Sequence, residues 1–220
     1  MDKMGHLTTS YFLGKVGYDL LRWSGVPQEK ATWYGGSMGL VYLTAIEILD
    51  AHSTNWGFSW GDMAANTIGA GLFVGQAAIW KEQRISMKFS FHTTEYSDLR
   101  PDILGSTYLE QLIKDYNGQT YWASVNIYSF LQKESKFPKW INVAVGYGAE
   151  GLLGGYSNPS NLPPYDRYRQ YYLSLDIDFT RIPTKSKFLK TVLNALSFIK
   201  VPMPAVEFSE KGAKFYPIYF

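Results

Sequence analysis

The chain has 220 residues, enough for one large domain or two small ones, and only 18% of them are charged. A formal net charge of +2 and the absence of any Lys/Arg run argue against a nucleic-acid-binding protein. The sequence contains no cysteine, which excludes disulfides, thiolate nucleophiles and cysteine-based zinc sites.

Helical periodicity dominates the first eighty residues. Apolar residues recur every three or four positions over 2–23, and a second, strongly apolar helix is predicted over 36–50. Ser59 is a predicted N-cap for a third helix that extends to about residue 80. None of the three has the roughly 20 apolar residues that a membrane span requires. Their glycines would nevertheless allow close helix contact, so a bundle lying at a bilayer stays open.

Beyond residue 83 the periodicity changes from 3.6 to 2, which is typical of amphipathic β-strands. Strands are predicted over 85–92, 121–129, 140–148, 171–182 and 213–220, and helices near 102–117 and 185–200 interrupt them. We therefore predict an α+β fold in two parts. Residues 1–82 form a helical bundle with a buried polar cluster, and residues 83–220 form an antiparallel amphipathic β-sheet, alternatively a partial barrel.

The strand at 171–182 has one apolar and one polar face. Its apolar residues are Tyr171, Leu173, Leu175, Ile177 and Phe179, and the opposite face includes Asp176 and Asp178. In a soluble domain the apolar face would cover a core, whereas in a barrel-like arrangement it would face lipid and both aspartates a polar interior. The 17% aromatic content suits a membrane interface, although a soluble β-rich core would also use aromatic residues. Because the content of charged residues is low, we expect membrane association.

The predicted helix at 185–200 is amphipathic, with lysines beside an apolar stripe. The stripe consists of Phe188, Leu189, Val192, Leu193, Leu196 and Ile199. Lys185, Lys187, Lys190 and Lys200 are the flanking lysines. Such a helix either covers an open face of the sheet or anchors the protein at a membrane interface. We expect the stripe to face a membrane or a partner.

Seven polar residues interrupt the apolar helices of the first part, and we call them the polar cluster. They are Asp2, Lys3, His6, Glu47, Asp50, Asp62 and Asn66. Spacings of three or four residues put the members from each helix on one helix face. Because an unpaired buried charge costs several kcal/mol, we expect these groups to satisfy one another between the three helices.

The polar cluster allows three interpretations. It is a polar lock between helices, a ligand or partner site, or a catalytic or metal site in which one histidine and three carboxylates bind a divalent cation. No recognised metal-binding, nucleophile or phosphate-binding motif is present. We therefore expect no metal and no cofactor, and we assign no catalytic residue.

The order of these residues carries a resemblance. Asp2-Lys3-x-x-His6, then Glu47-x-x-Asp50, then Asp62-x-x-x-Asn66-x-x-Gly69 resembles a bacterial family of unknown function described as predicted periplasmic lipoproteins, and is distantly similar to VanZ-like membrane proteins. The resemblance covers about residues 1–80 and implies an envelope location without an established reaction. Because the chain lacks a lipid-attachment cysteine and an apolar leader, we expect a mature or truncated form.

Two functions follow as hypotheses. The first is a structural or accessory protein of the bacterial cell envelope, in the outer membrane or periplasm, whose partners are membrane lipid, envelope proteins or both. The alternative is a hydrolase or transferase that acts on lipid or glycan, with Glu47, Asp50 or Asp62 as acid or base and His6 as proton shuttle. The first is preferred, so we expect a protein that is not an enzyme.

Overall fold

The computed structural model describes residues 1–53, 57–132 and 134–220. The chain divides into two compact units, residues 2–87 and residues 88–220, and each is treated by itself. The first unit is mostly helical. The second unit holds most of a β-sheet together with short helices, so the fold class is α+β.

Four helices build the first unit. They are α1 (Asp2–Trp23), the short α2 (Gln28–Lys30), which continues as a π-helical turn over Ala31–Gly35, α3 (Met38–Ala51) and α4 (Trp60–Ile79). Ser59 caps α4, since its side chain accepts a hydrogen bond from the backbone N–H of Asp62. Within the described residues, none of the helices combines the length and the apolar character needed to cross a membrane.

Glycines bring α1 close to both of its neighbours. A Cβ at Gly39 of α3 would overlap the backbone of Ser10, and one at Gly69 of α4 would overlap the carbonyl group of Leu7. Only residues without a side chain allow this backbone approach. Gly71 and Gly75 have open space where a Cβ would stand, so they do not serve as contact points.

The sheet has six antiparallel strands that follow the order of the chain. They are β1 (Ile85–Phe91), β2 (Gln119–Asn126), β3 (Ile141–Glu150), β4 (Tyr168–Ile177), β5 (Met203–Ser209) and β6 (Gly212–Tyr219). Within the described residues, β1 and β6 are the edge strands and the sheet is not closed between them. Four short helices lie in its connections: α5 (Tyr96–Leu99), α6 (Pro101–Leu104), α7 (Tyr108–Lys114) and α8 (Lys187–Ala195).

The strands predicted over 121–129 and 171–182 end early, at Asn126 and Ile177, and each is followed by a 3₁₀ turn. Three other elements also differ from the sequence prediction. The single helix predicted over 102–117 is instead two short helices, because Gly105 takes a positive φ between them and Thr107 caps the second. Strand β5 is absent from the sequence prediction, because the prolines at 202 and 204 disfavour a strand. A register shift between Met203 and Ala205 accommodates the proline at 204. The helix predicted over 185–200 ends at Ala195 and is followed by a 3₁₀ turn over Leu196–Phe198.

Along β4 the buried face is mostly polar and the exposed face is apolar. On β4, Gln170, Tyr172, Ser174 and Asp176 are buried, whereas Tyr171, Leu173 and Leu175 are exposed. The inner face has a cluster of packed rings in which Tyr172 and Tyr219 lie 4.5 Å apart between centroids, with Trp122 beside them. This burial is the reverse of the hydrophobic-in, polar-out pattern of an ordinary antiparallel sheet.

Candidate functional site

The polar cluster forms where the ends of three helices meet. Asp2, Lys3 and His6 occupy the first two turns of α1, while Asp62 and Asn66 occupy the first two turns of α4. Glu47 lies near the end of α3. The i, i+4 spacing within α1 and within α4 therefore turns two polar faces towards each other.

Lys3 is the cation of the cluster. Its Nζ donates hydrogen bonds to Asp62 Oδ1 at 2.5 Å, to Asp2 Oδ2 at 3.0 Å and to Ser59 Oγ at 3.2 Å. Partial burial lowers the pKa of Lys3, but the hydrogen bonds to Asp62 and Asp2 outweigh it and the net pKa is raised. Burial also raises the pKa of Asp62, yet hydrogen bonds from Lys3 and Ser59 and the charge of His6 bring it below its ordinary value.

His6 lies between the carboxylates, and its two ring nitrogens have different neighbours. Nδ1 is 3.1 Å from Asn66 Oδ1 and 3.8 Å from Glu47 Oε1. Nε2 is 3.9 Å from Asp2 Oδ1 and 3.9 Å from Asp62 Oδ1. A hydrogen on Nδ1 would be donated to Asn66 Oδ1, and Nε2 faces the two aspartates.

Glu47 is the most deeply buried carboxylate of the cluster, with a side chain only 2% exposed. It accepts a hydrogen bond from the backbone N–H of Ser59 at 3.1 Å. The amide nitrogen of Asn66 and the hydroxyl of Thr8 are buried without a hydrogen-bond partner among the described residues. The cluster is thus tightly bonded on the Lys3 side and incompletely satisfied around His6 and Asn66.

The structure brings together six of the seven residues named from sequence. Asp50 is the exception: within the described part of the chain, its carboxylate contributes no hydrogen bond or ion pair to the cluster. The sequence analysis recognised Ser59 only as a helix cap and missed its bonds to Lys3 and Glu47. Asp2 and Lys3 are about half exposed, so solvent reaches one side of the cluster.

A second polar network lies inside the sheet of the other unit. Lys88 and Asp176 form an almost fully buried ion pair at 2.7 Å, and Ser124 donates a hydrogen bond to the same carboxylate at 2.6 Å. Lys200 is also buried, with its Nζ 4.9 Å from the centre of the Trp122 ring. Burial lowers the pKa of Lys200 to about 8, since Asp176 only partly opposes it and the positive charge of Lys88 adds to it.

The apolar surfaces of this unit are its other candidate functional feature. Four residues of the predicted apolar stripe are exposed: Phe188, Leu189, Leu196 and Ile199. The other two, Val192 and Leu193, are half-buried. Lys200, expected to flank this stripe, instead points into the protein interior and donates a hydrogen bond to the Val201 carbonyl. The flanking lysines are therefore Lys185, Lys187 and Lys190.

Comparison with known protein families finds a similarity in the first part of the chain. The family described as predicted periplasmic lipoprotein (DUF2279) matches residues 1–76, which contain every member of the polar cluster. No curated protein and no solved structure matches the chain. The match covers about a third of the sequence and is consistent with a cell-envelope protein.

Proposed function

We propose that this protein is a structural or accessory protein of the bacterial cell envelope, associated with the outer membrane as part of a larger assembly. The observation that carries the proposal is the exposed apolar face of the sheet, which we call the outward face. Its exposed residues are Val145, Tyr171, Leu173, Leu175, Phe208 and Phe215, and Val143 and Val206 on the same face are half-buried. The similarity of residues 1–76 to the predicted periplasmic lipoprotein family supports an envelope location.

The outward face is continuous because strand register aligns its members. Val145 pairs with Leu173, Leu173 with Val206, and Val206 with Phe215, which makes one apolar row across four strands. A parallel row joins Tyr171 to Phe208. Soluble monomers rarely expose a contiguous apolar surface of this kind, and such surfaces mark membrane or protein contacts.

The buried side of the same strands favours lipid as the contact. The inner side holds the buried Lys88–Asp176 ion pair as well as the ring cluster of Trp122, Tyr172 and Tyr219, whereas the outward face has only apolar side chains in these rows. Alternation of apolar residues facing lipid with polar residues facing inwards is typical of strands in the outer membrane. The outward face is therefore suited to hydrocarbon.

Helix α8 adds an interfacial contact. Phe188 is 79% exposed and no residue of the helix is fully buried, so part of its apolar stripe is open to solvent. Lys187 and Lys190 lie beside it and would meet the phosphates of lipid headgroups. Helix α8 thus adds a second apolar surface, which has a basic margin.

The test is vesicle binding of the purified full chain with a charge placed on the outward face. Leu173→Asp should lower the fraction that floats with phospholipid vesicles about tenfold, because a carboxylate at a lipid contact costs on the order of 1–2 kcal/mol. The control Gln132→Asp adds the same charge at an exposed loop residue and should leave binding unchanged.

Two results would contradict the proposal. One is equal flotation of wild type and Leu173→Asp, provided that both proteins have the same far-ultraviolet circular dichroism. The other is recovery of the wild-type protein as a monodisperse species in buffer without detergent, since a soluble protein would have no need to cover the outward face with lipid.

A further inference from the structure

We propose that Asp2, His6 and Asp62 form a binding site for one divalent transition-metal ion, with Asn66 and Glu47 as supporting residues. This inference concerns the helical unit alone and is independent of membrane association. It extends the structural role of the polar cluster to a metal-dependent one.

The spacing of His6 from both aspartates fits a shared ion. One oxygen from each aspartate and one nitrogen of His6 all lie within 4.8 Å of one another. Two ligands bound to one ion at about 2.1 Å are separated by roughly 3.0–4.2 Å, depending on their angle at the metal. The His6 Nε2 distances of 3.9 Å to both Asp2 and Asp62 fall in this range.

The hydrogen bond at the other ring nitrogen is the second observation. A metal-binding histidine commonly donates its remaining N–H to a carbonyl or carboxylate, which fixes the tautomer and directs the free lone pair to the metal. His6 Nδ1 has one such acceptor, Asn66 Oδ1 at 3.1 Å, and the buried Glu47 carboxylate lies further away at 3.8 Å. This bond leaves Nε2 as a lone pair directed at two carboxylates, which is unfavourable unless a proton or a cation lies between them.

The charge of the cluster also favours a cation. Asp2, Glu47 and Asp62 bring three negative charges, and Lys3 brings one positive charge when His6 is neutral. A divalent ion would neutralise the two negative charges that remain. The buried amide nitrogen of Asn66 also lacks a hydrogen-bond acceptor, although the oxygen of the same amide contacts His6. A water molecule bound to the ion would supply that acceptor.

Lys3 holds the same carboxylate oxygen that the ion would need. Its Nζ lies 2.5 Å from Asp62 Oδ1, but its side chain is 52% exposed and can move into solvent. One imidazole nitrogen with two carboxylate oxygens suits Zn²⁺ and Mn²⁺ better than Mg²⁺ or Ca²⁺, which prefer oxygen ligands alone. We therefore expect Lys3 and the metal ion to compete.

The experiment measures metal binding by the detergent-purified full chain. After treatment with a chelator, equilibrium dialysis against Zn²⁺ or Mn²⁺ should give one retained ion per chain. His6→Gln and Asp62→Asn should each weaken this binding at least about tenfold, and Asn66→Ala about ten- to a hundredfold. Asp19→Asn, which alters a carboxylate elsewhere on α1, is the matched control and should bind as the wild type does.

Two further measurements keep the test valid if a variant fails to fold. X-ray absorption at the zinc edge of the wild-type protein should show scattering from one imidazole together with oxygen ligands. Lys3→Met should bind Zn²⁺ about tenfold more tightly, since it removes the competing ammonium. Absence of a retained ion in the wild type, a zinc spectrum without imidazole, or unchanged binding in both His6→Gln and Asp62→Asn would overturn the proposal.

Discussion

At the scale of single residues, the polar cluster shows how far local spacing reaches. The i, i+4 rule correctly pairs Asp2 with His6, because both belong to one regular helix. The rule does not show which residues of the other helices complete the polar cluster. Ser59 joins through its position at the start of α4, and Asp50 stays outside although it lies one turn beyond Glu47.

Lys200 yields a residue-scale prediction about pH. Its pKa is about 8 in the folded protein against an ordinary value of 10.5, so between these values the unfolded chain binds more protons than the folded one. Stability contributed by this residue must therefore rise as the pH increases from 8 to 10.5. Relative to Lys200→Met, which cannot titrate, the wild-type free energy of unfolding should increase across that window.

The measurement is chemical unfolding of both proteins in the same detergent at several pH values. Tyrosines also titrate near the upper end of the range, but they are present in both proteins and cancel in the difference. If the difference in free energy of unfolding between the two proteins stays constant or falls between pH 8 and 10.5, burial does not lower the pKa of Lys200.

At the scale of elements, propensity and periodicity predict regular segments and fail where backbone geometry intervenes. The bounds of α1 and α4 follow from their apolar spacing and from the Ser59 cap. Strand β5 is missed because proline removes a backbone donor and is disfavoured in strands, while the neighbouring strands still pair with it. Which glycines serve helix contact is likewise invisible in the sequence, since it depends on the facing helix.

Two glycines of α4 give a matched pair of variants at this scale. A methyl group at Gly69 would overlap the Leu7 carbonyl group, so Gly69→Ala should destabilise the protein by about 1–3 kcal/mol, or more if α1 cannot shift. Gly71 has nothing within 4 Å of the same position, so Gly71→Ala should stabilise by up to about 1 kcal/mol through helix propensity. Thermal unfolding of both variants tests the pair, and equal effects would contradict a close α1–α4 contact.

At the scale of the whole chain, the sequence predicts the class of fold but not the direction of burial in the sheet. Alternation along 171–180 predicts that Asp176 and Asp178 share a side; both are buried, although β4 ends at Ile177 and Asp178 caps the 3₁₀ turn that follows. The pattern is identical whichever side faces the interior. Which side is buried depends on the hydrogen-bonding partners that the other strands supply. Lys88 and Ser124 can bond to Asp176 only on the inner side of the sheet.

The last prediction concerns how the chain meets a membrane through α8. Phe188 is largely exposed, so Phe188→Asp should change the free energy of unfolding little while weakening binding to vesicles that contain anionic phospholipid. Burial of one phenylalanine side chain in the interface contributes about 1.5–3 kcal/mol, which corresponds to roughly tenfold or more in binding. Thr191→Asp, exposed one turn further along the helix, adds the same charge without removing apolar surface and should weaken binding much less. Raising the salt concentration should weaken wild-type binding as well, because the flanking lysines act through screened attraction to phosphate. If Phe188→Asp lowers stability and leaves vesicle binding intact, the helix covers part of the protein and the membrane contact belongs to the outward face alone.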